Sequence, residues 1–448
     1  MMTTQSVNRT IRILLLIALG LLVVIFGLLA LRGVVRALPG RYAYYLPDPL
    51  LELRRVPHAQ TLATPESVAT VDVSRLLPTA TPTPTPTPVP PTPTAAPSTS
   101  TPGGAPTPQA TATPQSTPTS QPTPTPALPT SCRVPGGRME RQGWNNCGPT
   151  TLAMQLSFWD RAETQAEIAP LLKPDPEDKN VGPYEMADYA RSVGLEAIVR
   201  PAGTLERLKR LLAADFPVVV ETWYIDHESE EQMGHYRLLV GYDDALQQFT
   251  AYDSLHTPEI VLDYQAMDEL WRGFNRLYLV IYSPERAEEL AAILGPHMDE
   301  SYAFRQALER AQTEVLNPPE SCVAYAECED AEAFAWFNVG TSLLALGDYE
   351  GAAAAYDQAR ALGVHYRMIW YQFGPYEAYY TVGRYQDVIT LADQILRVTP
   401  NLEESYYWRG RARLALGDVD GARDDFKSAL KYHEGWQPAV DALAALNQ

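Results

Sequence analysis

Positive charge is scarce in this sequence. Lys and Arg together number 35 against 54 Asp and Glu in 448 residues, a formal charge of −19. A nucleic-acid binder needs a basic face to displace phosphate counterions, so no nucleic-acid partner is expected. Cysteine is scarcer still. Cys132, Cys147, Cys322 and Cys328 are too few to staple a chain of this length as a disulfide scaffold. Neither a paired Cys-x-x-Cys nor a His-Glu-x-x-His spacing occurs, so no metal and no other cofactor is expected. Between Arg75 and Arg133 there is no charged and no aromatic residue.

That blank stretch is almost wholly Pro, Thr, Ala and Ser from 78 to 130. It has nothing to bury, and is expected to be an extended, disordered stalk. At ~3.1 Å per residue in polyproline II it reaches on the order of 160 Å. Upstream, residues 13–31 are an unbroken run of apolar residues and glycine, long enough for one helical membrane span. Arg9 and Arg12 precede the run, and Arg32, Arg36 and Arg41 follow it, so flanking charge leaves the orientation open. A cleaved signal peptide would have a shorter apolar region and a small-x-small site after it. An uncleaved anchor is therefore expected. The stalk tips the orientation toward an inside N-terminus with everything after the anchor extracytoplasmic, at a cell membrane crossed once. The expected division is an anchor over 1–36, a juxtamembrane segment over 37–77, the stalk over 78–130, a globular domain over 131–283, a helical connector over 284–330 and repeats over 331–448.

In the globular segment, helical spacing of apolar residues predicts helices over 149–160, 164–172, 184–193, 204–213 and 264–273. Strand-like runs fall at 217–223, 235–242, 248–253, 259–262 and 276–282. Helices followed by strands with turn-length links predict an α+β domain, its N-terminal helices packed on an antiparallel sheet.

Cys147 lies where a polar loop, 142–146, meets the first predicted helix, with Pro149 suited to its first turn. Unpaired backbone N–H groups there favour an anion, which predicts a lowered thiol pKa. A buried small hydrophobe is the plainer alternative for a lone cysteine. His235 opens one strand and Asp253 ends its hairpin partner, so an antiparallel pair brings the two to one end of the sheet. A thiol, an imidazole and a carboxylate are the groups that nucleophilic acyl transfer requires. Gln142 could add a side-chain N–H to the Cys147 backbone N–H as an oxyanion hole, as could Asn145 or Asn146. His227 and His256 are competing imidazoles, and Trp144 could be a substrate wall.

Gln142, then Asn146-Cys147-Gly148-Pro149-Thr150, then Gly234-His235-Tyr236, Gly241-Tyr242-Asp243 and Ala251-Tyr252-Asp253, resemble the bacteriocin-processing leader peptidases and their stand-alone relatives. Those are papain-like cysteine peptidases that cut after a double glycine and usually sit on an ABC exporter. The resemblance covers about 150 residues in family order. It implies a papain-like fold, Cys147 as nucleophile, His235 as base, Asp253 as orienting carboxylate and Gln142 at the oxyanion hole. Two departures stand out. Ser254 follows the aspartate where the family commonly has proline, and the sequence shows no transporter segments.

After Cys328 the sequence repeats itself. Gly340, Leu346-Gly347-Asp348-Tyr349, Ala352 and Tyr356 correspond to Gly410, Leu416-Gly417-Asp418-Val419, Ala422 and Phe426, with a middle unit around Gly383. The spacing and the small and aromatic positions look like the tetratricopeptide repeat, an all-α solenoid. Tyr376 stands where the middle unit lacks its glycine. Such repeats offer a protein-docking surface or brace a neighbouring domain. Outside a cell, Cys322 and Cys328 could close a small disulfide.

The expected activity is therefore a membrane-anchored, extracytoplasmic cysteine peptidase. A peptide or protein is its substrate, a protein partner is expected at the repeats, and the membrane is engaged through the N-terminal helix. A non-catalytic adhesion module and a cell-wall peptide amidase are the alternatives.

Overall fold

The computed structural model describes residues 26–27, 30–35, 61–65, 73–77, 128–225, 232–255, 259–323 and 329–446. Most of the expected membrane span, and the stalk from 78 to 127, lie outside the described residues. Among the described residues no helix is long and apolar enough to cross a membrane.

The first element is β1 (Ser131–Arg133), and α1 (Cys147–Leu156), α2 (Gln165–Leu172) and α3 (Pro183–Ser192) follow. Next come β2 (Glu196–Arg200), α4 (Leu205–Ala213), β3 (Val218–Ile225), β4 (Gln232–Asp243), β5 (Gln248–Tyr252) and β6 (Ile260–Asp263). The domain closes with α5 (Tyr264–Arg272) and β7 (Tyr278–Tyr282). The sheet runs β2-β7-β3-β4-β5-β6, with β1 also on β4, and every pairing is antiparallel.

Alternation along β4 explains the layers. Tyr236, Leu238 and Val240 join Leu152, Leu156, Met186 and Ala190 of α1 and α3 in one core. Leu239 joins Leu208, Leu211 and Leu212 of α4 and Trp271 of α5 in the other. The predicted helices and longer strands are therefore present, and the sheet is covered on both faces. β1 and β2 are additions: the sequence pattern did not suggest them.

Downstream lie α6 (Ala287–Leu294), α7 (Glu300–Leu316), α8 (Glu329–Ala345) and α9 (Tyr349–Ala361). Then come α10 (Gly374–Thr381), α11 (Tyr385–Val398), α12 (Glu403–Ala415), α13 (Val419–Tyr432) and α14 (Gln437–Ala445). Three helix pairs, α8/α9, α10/α11 and α12/α13, make the repeat array. Asp348 and Asp418 cap α9 and α13, each accepting the backbone N–H three residues on at 2.9 Å. The middle pair departs from its neighbours. α10 has only 8 residues, and a 3-10 turn, Tyr366–Trp370, precedes it. A third core joins the array to the sheet domain, with Trp223 and Phe274 packed among Phe334, Phe337, Tyr356 and Tyr366.

Two short N-terminal pieces dock on the same array. Leu62 and Leu76 are buried in that third core. The Leu62 N–H donates to Val364 O at 2.9 Å. Gln394 brackets the piece, its Oε1 accepting from Ala63 N at 2.6 Å and its Nε2 donating to Thr61 O at 2.8 Å. Arg360 Nε donates to Ala63 O at 2.7 Å. Cys322 is disulfide-bonded, Cys328 lies outside the described residues, and Cys132 and Cys147 are free.

Candidate active site

Cys147 is the first residue of α1. The loop before it is tied down at several points. Gln165 Oε1 accepts from Gly143 N at 2.7 Å and from Asn146 Nδ2 at 3.0 Å. Asn145 takes a left-handed φ of 53°, a conformation asparagine tolerates, and its Nδ2 donates to Glu177 O at 3.3 Å. The side-chain donors of Asn145 and Asn146 therefore hold the loop. Gln142 is held from the other side. Its N–H donates to Ser254 O at 2.9 Å, and its Oε1 accepts from Ser254 Oγ at 2.7 Å. Ser254, the departure from the family's proline, is thus a clamp on Gln142.

The start of α1 lies close against β4. A Cβ on Gly148 would come within 3.0 Å of the Val181 side chain and 3.6 Å of the Tyr236 ring, so a larger residue there would have to push Val181 back. The Cys147 thiol accepts the backbone N–H of Tyr236, the residue after His235. Cys147 therefore lies beside the backbone of the residue that follows His235.

His235 is buried, and its Nε2 donates to Asp253 Oδ1 at 2.8 Å. Arg237, two residues on and so on the same face of β4, donates from Nε to Asp253 Oδ2 at 3.1 Å. The Leu255 N–H donates to Oδ1 at 2.9 Å. Burial works against the Asp253 charge, but His235 and Arg237 overcome it and hold the carboxyl below its ordinary range. Arg237 also contacts Thr222 Oγ1. The sequence reading missed Arg237. Its one signal was a cation at an inward position of a strand, two residues from a candidate histidine.

The expected low pKa of Cys147 is corrected. Burial pushes the thiol up to about 11, and the backbone N–H groups of Tyr236 and Gly148 offset this only in part. The Glu221 carboxyl adds to the rise. Glu221, on β3 opposite Tyr236, is itself pushed up to about 8 by burial. Desolvation outweighs the helix terminus here. His227 and His256 lie outside the described residues. Trp144 is half-buried, with its Nε1 donating to Glu177 at 3.3 Å. Among the described residues no His, Cys, Asp and Glu group has the makings of a metal site.

Residues 130–278 match the family described as Peptidase_C39 like family, and residues 335–359 and 404–434 match the tetratricopeptide repeat. The chain thus carries a C39-peptidase-like domain followed by tetratricopeptide repeats. It is similar to a C39-like peptidase from Bacillus anthracis, at 14% identity over 34% of this chain and 98% of that one, with a TM-score of 0.28. It is also similar to a double glycine motif protease from an AMS/PCAT transporter, solved in complex with the leader peptide. There the identity is 16% over 34% of this chain and 94% of that one, with a TM-score of 0.24. No curated protein matches the chain.

Proposed function

We propose that the chain is a membrane-anchored, extracytoplasmic cysteine peptidase whose repeats dock a protein. The observation that carries this reading is the buried His235–Asp253 pair at 2.8 Å with the Cys147 thiol on the next backbone N–H. With Asp253 bonded to Nε2, His235 Nδ1 is the ring nitrogen that takes the thiol proton in this reading. The sulfur then attacks the scissile carbonyl carbon. The oxyanion is held by the Cys147 backbone N–H and by Gln142, whose Nε2 is its remaining end because Ser254 takes Oε1. The imidazolium protonates the departing amine, and water hydrolyses the thioester. A thiol at about 11 suits transfer to the histidine during attack rather than a standing thiolate. The disulfide at Cys322 fits an oxidising compartment, and with the apolar run at 13–31 supports the anchored placement.

The same raised thiol favours a second reading, a binding module that keeps the fold without turnover. A peptidyl chloromethyl ketone separates the two. An active site is alkylated at Cys147, and His235→Ala slows that labelling about 100-fold or more. Failure to label Cys147, or an equal rate in His235→Ala, refutes the peptidase.

A further inference from the structure

Residues 362–373 join α9 to α10, and this connector reaches both sides of the Cys147 site. On one side, Tyr371 packs over Gly234, the residue before His235. A Cβ on Gly234 would lie 2.8 Å from Phe274 Cζ and 3.0 Å from Tyr371 Cζ, so the two rings together close over this backbone. The Gly234 N–H donates to the Tyr371 hydroxyl, and burial followed by the nearby Cys147 thiol pushes that phenol far above its ordinary range. On the other side, Trp370 shares Lys179 with Trp144, three residues before Cys147. The ammonium is 6.0 Å from the Trp370 ring and 5.2 Å from the Trp144 ring.

The tyrosine is held, not hinged. Its ring meets Phe274 edge-on at 5.8 Å and Trp223 at 6.5 Å. Arg367 Nη1 donates to Gln232 O at 2.7 Å, and Gln372 Nε2 donates to Gly273 O at 3.0 Å. The chain is thus pinned to the sheet domain on either side of Tyr371. A side chain so fixed is a boundary that a substrate must fit rather than a cover that it displaces.

Resting on the peptidase reading above, we propose that Tyr371, supplied by the repeat array, is a wall of the substrate cleft and limits the side chain lying against Cys147 to a small one. The repeats would then select substrate at the reacting centre as well as dock a partner.

The test uses the full chain and two thiol reagents, iodoacetamide and N-(1-pyrenyl)maleimide, with labelling at Cys147 followed by peptide mapping. Tyr371→Ala raises the pyrenylmaleimide rate about tenfold or more and the iodoacetamide rate less than about threefold. Tyr371→Phe, which keeps the ring, changes neither. An unchanged ratio in Tyr371→Ala overturns the proposal. Equal acceleration of both reagents overturns it too, because that marks a simple cover. If Tyr371→Ala does not fold, judged by its thermal transition, Tyr371→Leu is read by the same ratio. Alkylation needs no turnover. A shifted ratio with no peptide cleaved by any variant would leave the wall standing and sink the peptidase.

Discussion

Asp253 accepts from His235, Arg237 and the Leu255 N–H, and Arg237 is the partner that the chemistry does not itself require. Removing one member of a buried ion pair strands the other, at a cost of about 3–5 kcal/mol. Arg237→Met is expected to lose that much in urea unfolding. The sign with pH follows from the depressed Asp253 carboxyl. Its contribution is present above the ordinary carboxylate pKa and is lost as pH falls through the lower, folded value. Glu221 has the opposite sign. Folded, it titrates at about 8 against an ordinary 4.5. The native state keeps a proton that the unfolded chain has released, so stability falls as pH rises between those values. Glu221→Gln is expected to remove that slope and to be more stable than the parent at pH 8 by about 2–4 kcal/mol, as read by urea midpoints across the window. It should also lower the Cys147 alkylation midpoint, because a carboxylate facing the thiol is gone.

At the scale of elements, the join between α1 and β4 sets the site. Gly148→Ala puts a methyl against Val181 and Tyr236. It is expected to cost about 1–3 kcal/mol and to slow labelling of Cys147, as read by thermal melts and reagent kinetics. Much of this element-level structure was legible in the sequence. Helical spacing in α1 and α4 and the runs of β3, β4 and β7 stand out because each buries a continuous face. β1 did not, since a three-residue strand has no period to read. β2 has only five residues, Glu196–Arg200, with charge at both ends. The meeting of His235 with Asp253 was legible from the hairpin. The raised thiol was not, because burial depends on what packs above a residue. Tyr371 was illegible for a related reason: it comes from the connector ahead of a short repeat helix, and its target lies in another domain.

At the scale of the molecule, the repeats and the sheet domain share one core. Trp223 is fully buried among residues of both, so the array and the sheet domain form one body rather than two joined by a linker. The pieces at 61–65 and 73–77 belong to that body as well, held by Leu62, Leu76, Gln394 and Arg360. Its described residues stop at Leu77 and resume at 128.

A tether with both ends fastened to the same object does not set that object's distance from anything else. If the anchor is in place, the standoff is governed by residues 36–60, which span at most about 85 Å. Cutting the Pro/Thr segment would then open a loop without severing the load. Limited proteolysis between 78 and 127 is expected to give two fragments that co-elute in native gel filtration and part in urea. Leu62→Asp, which places a charge in the docking core, is expected to let them part without denaturant. Shedding would become a question of undocking.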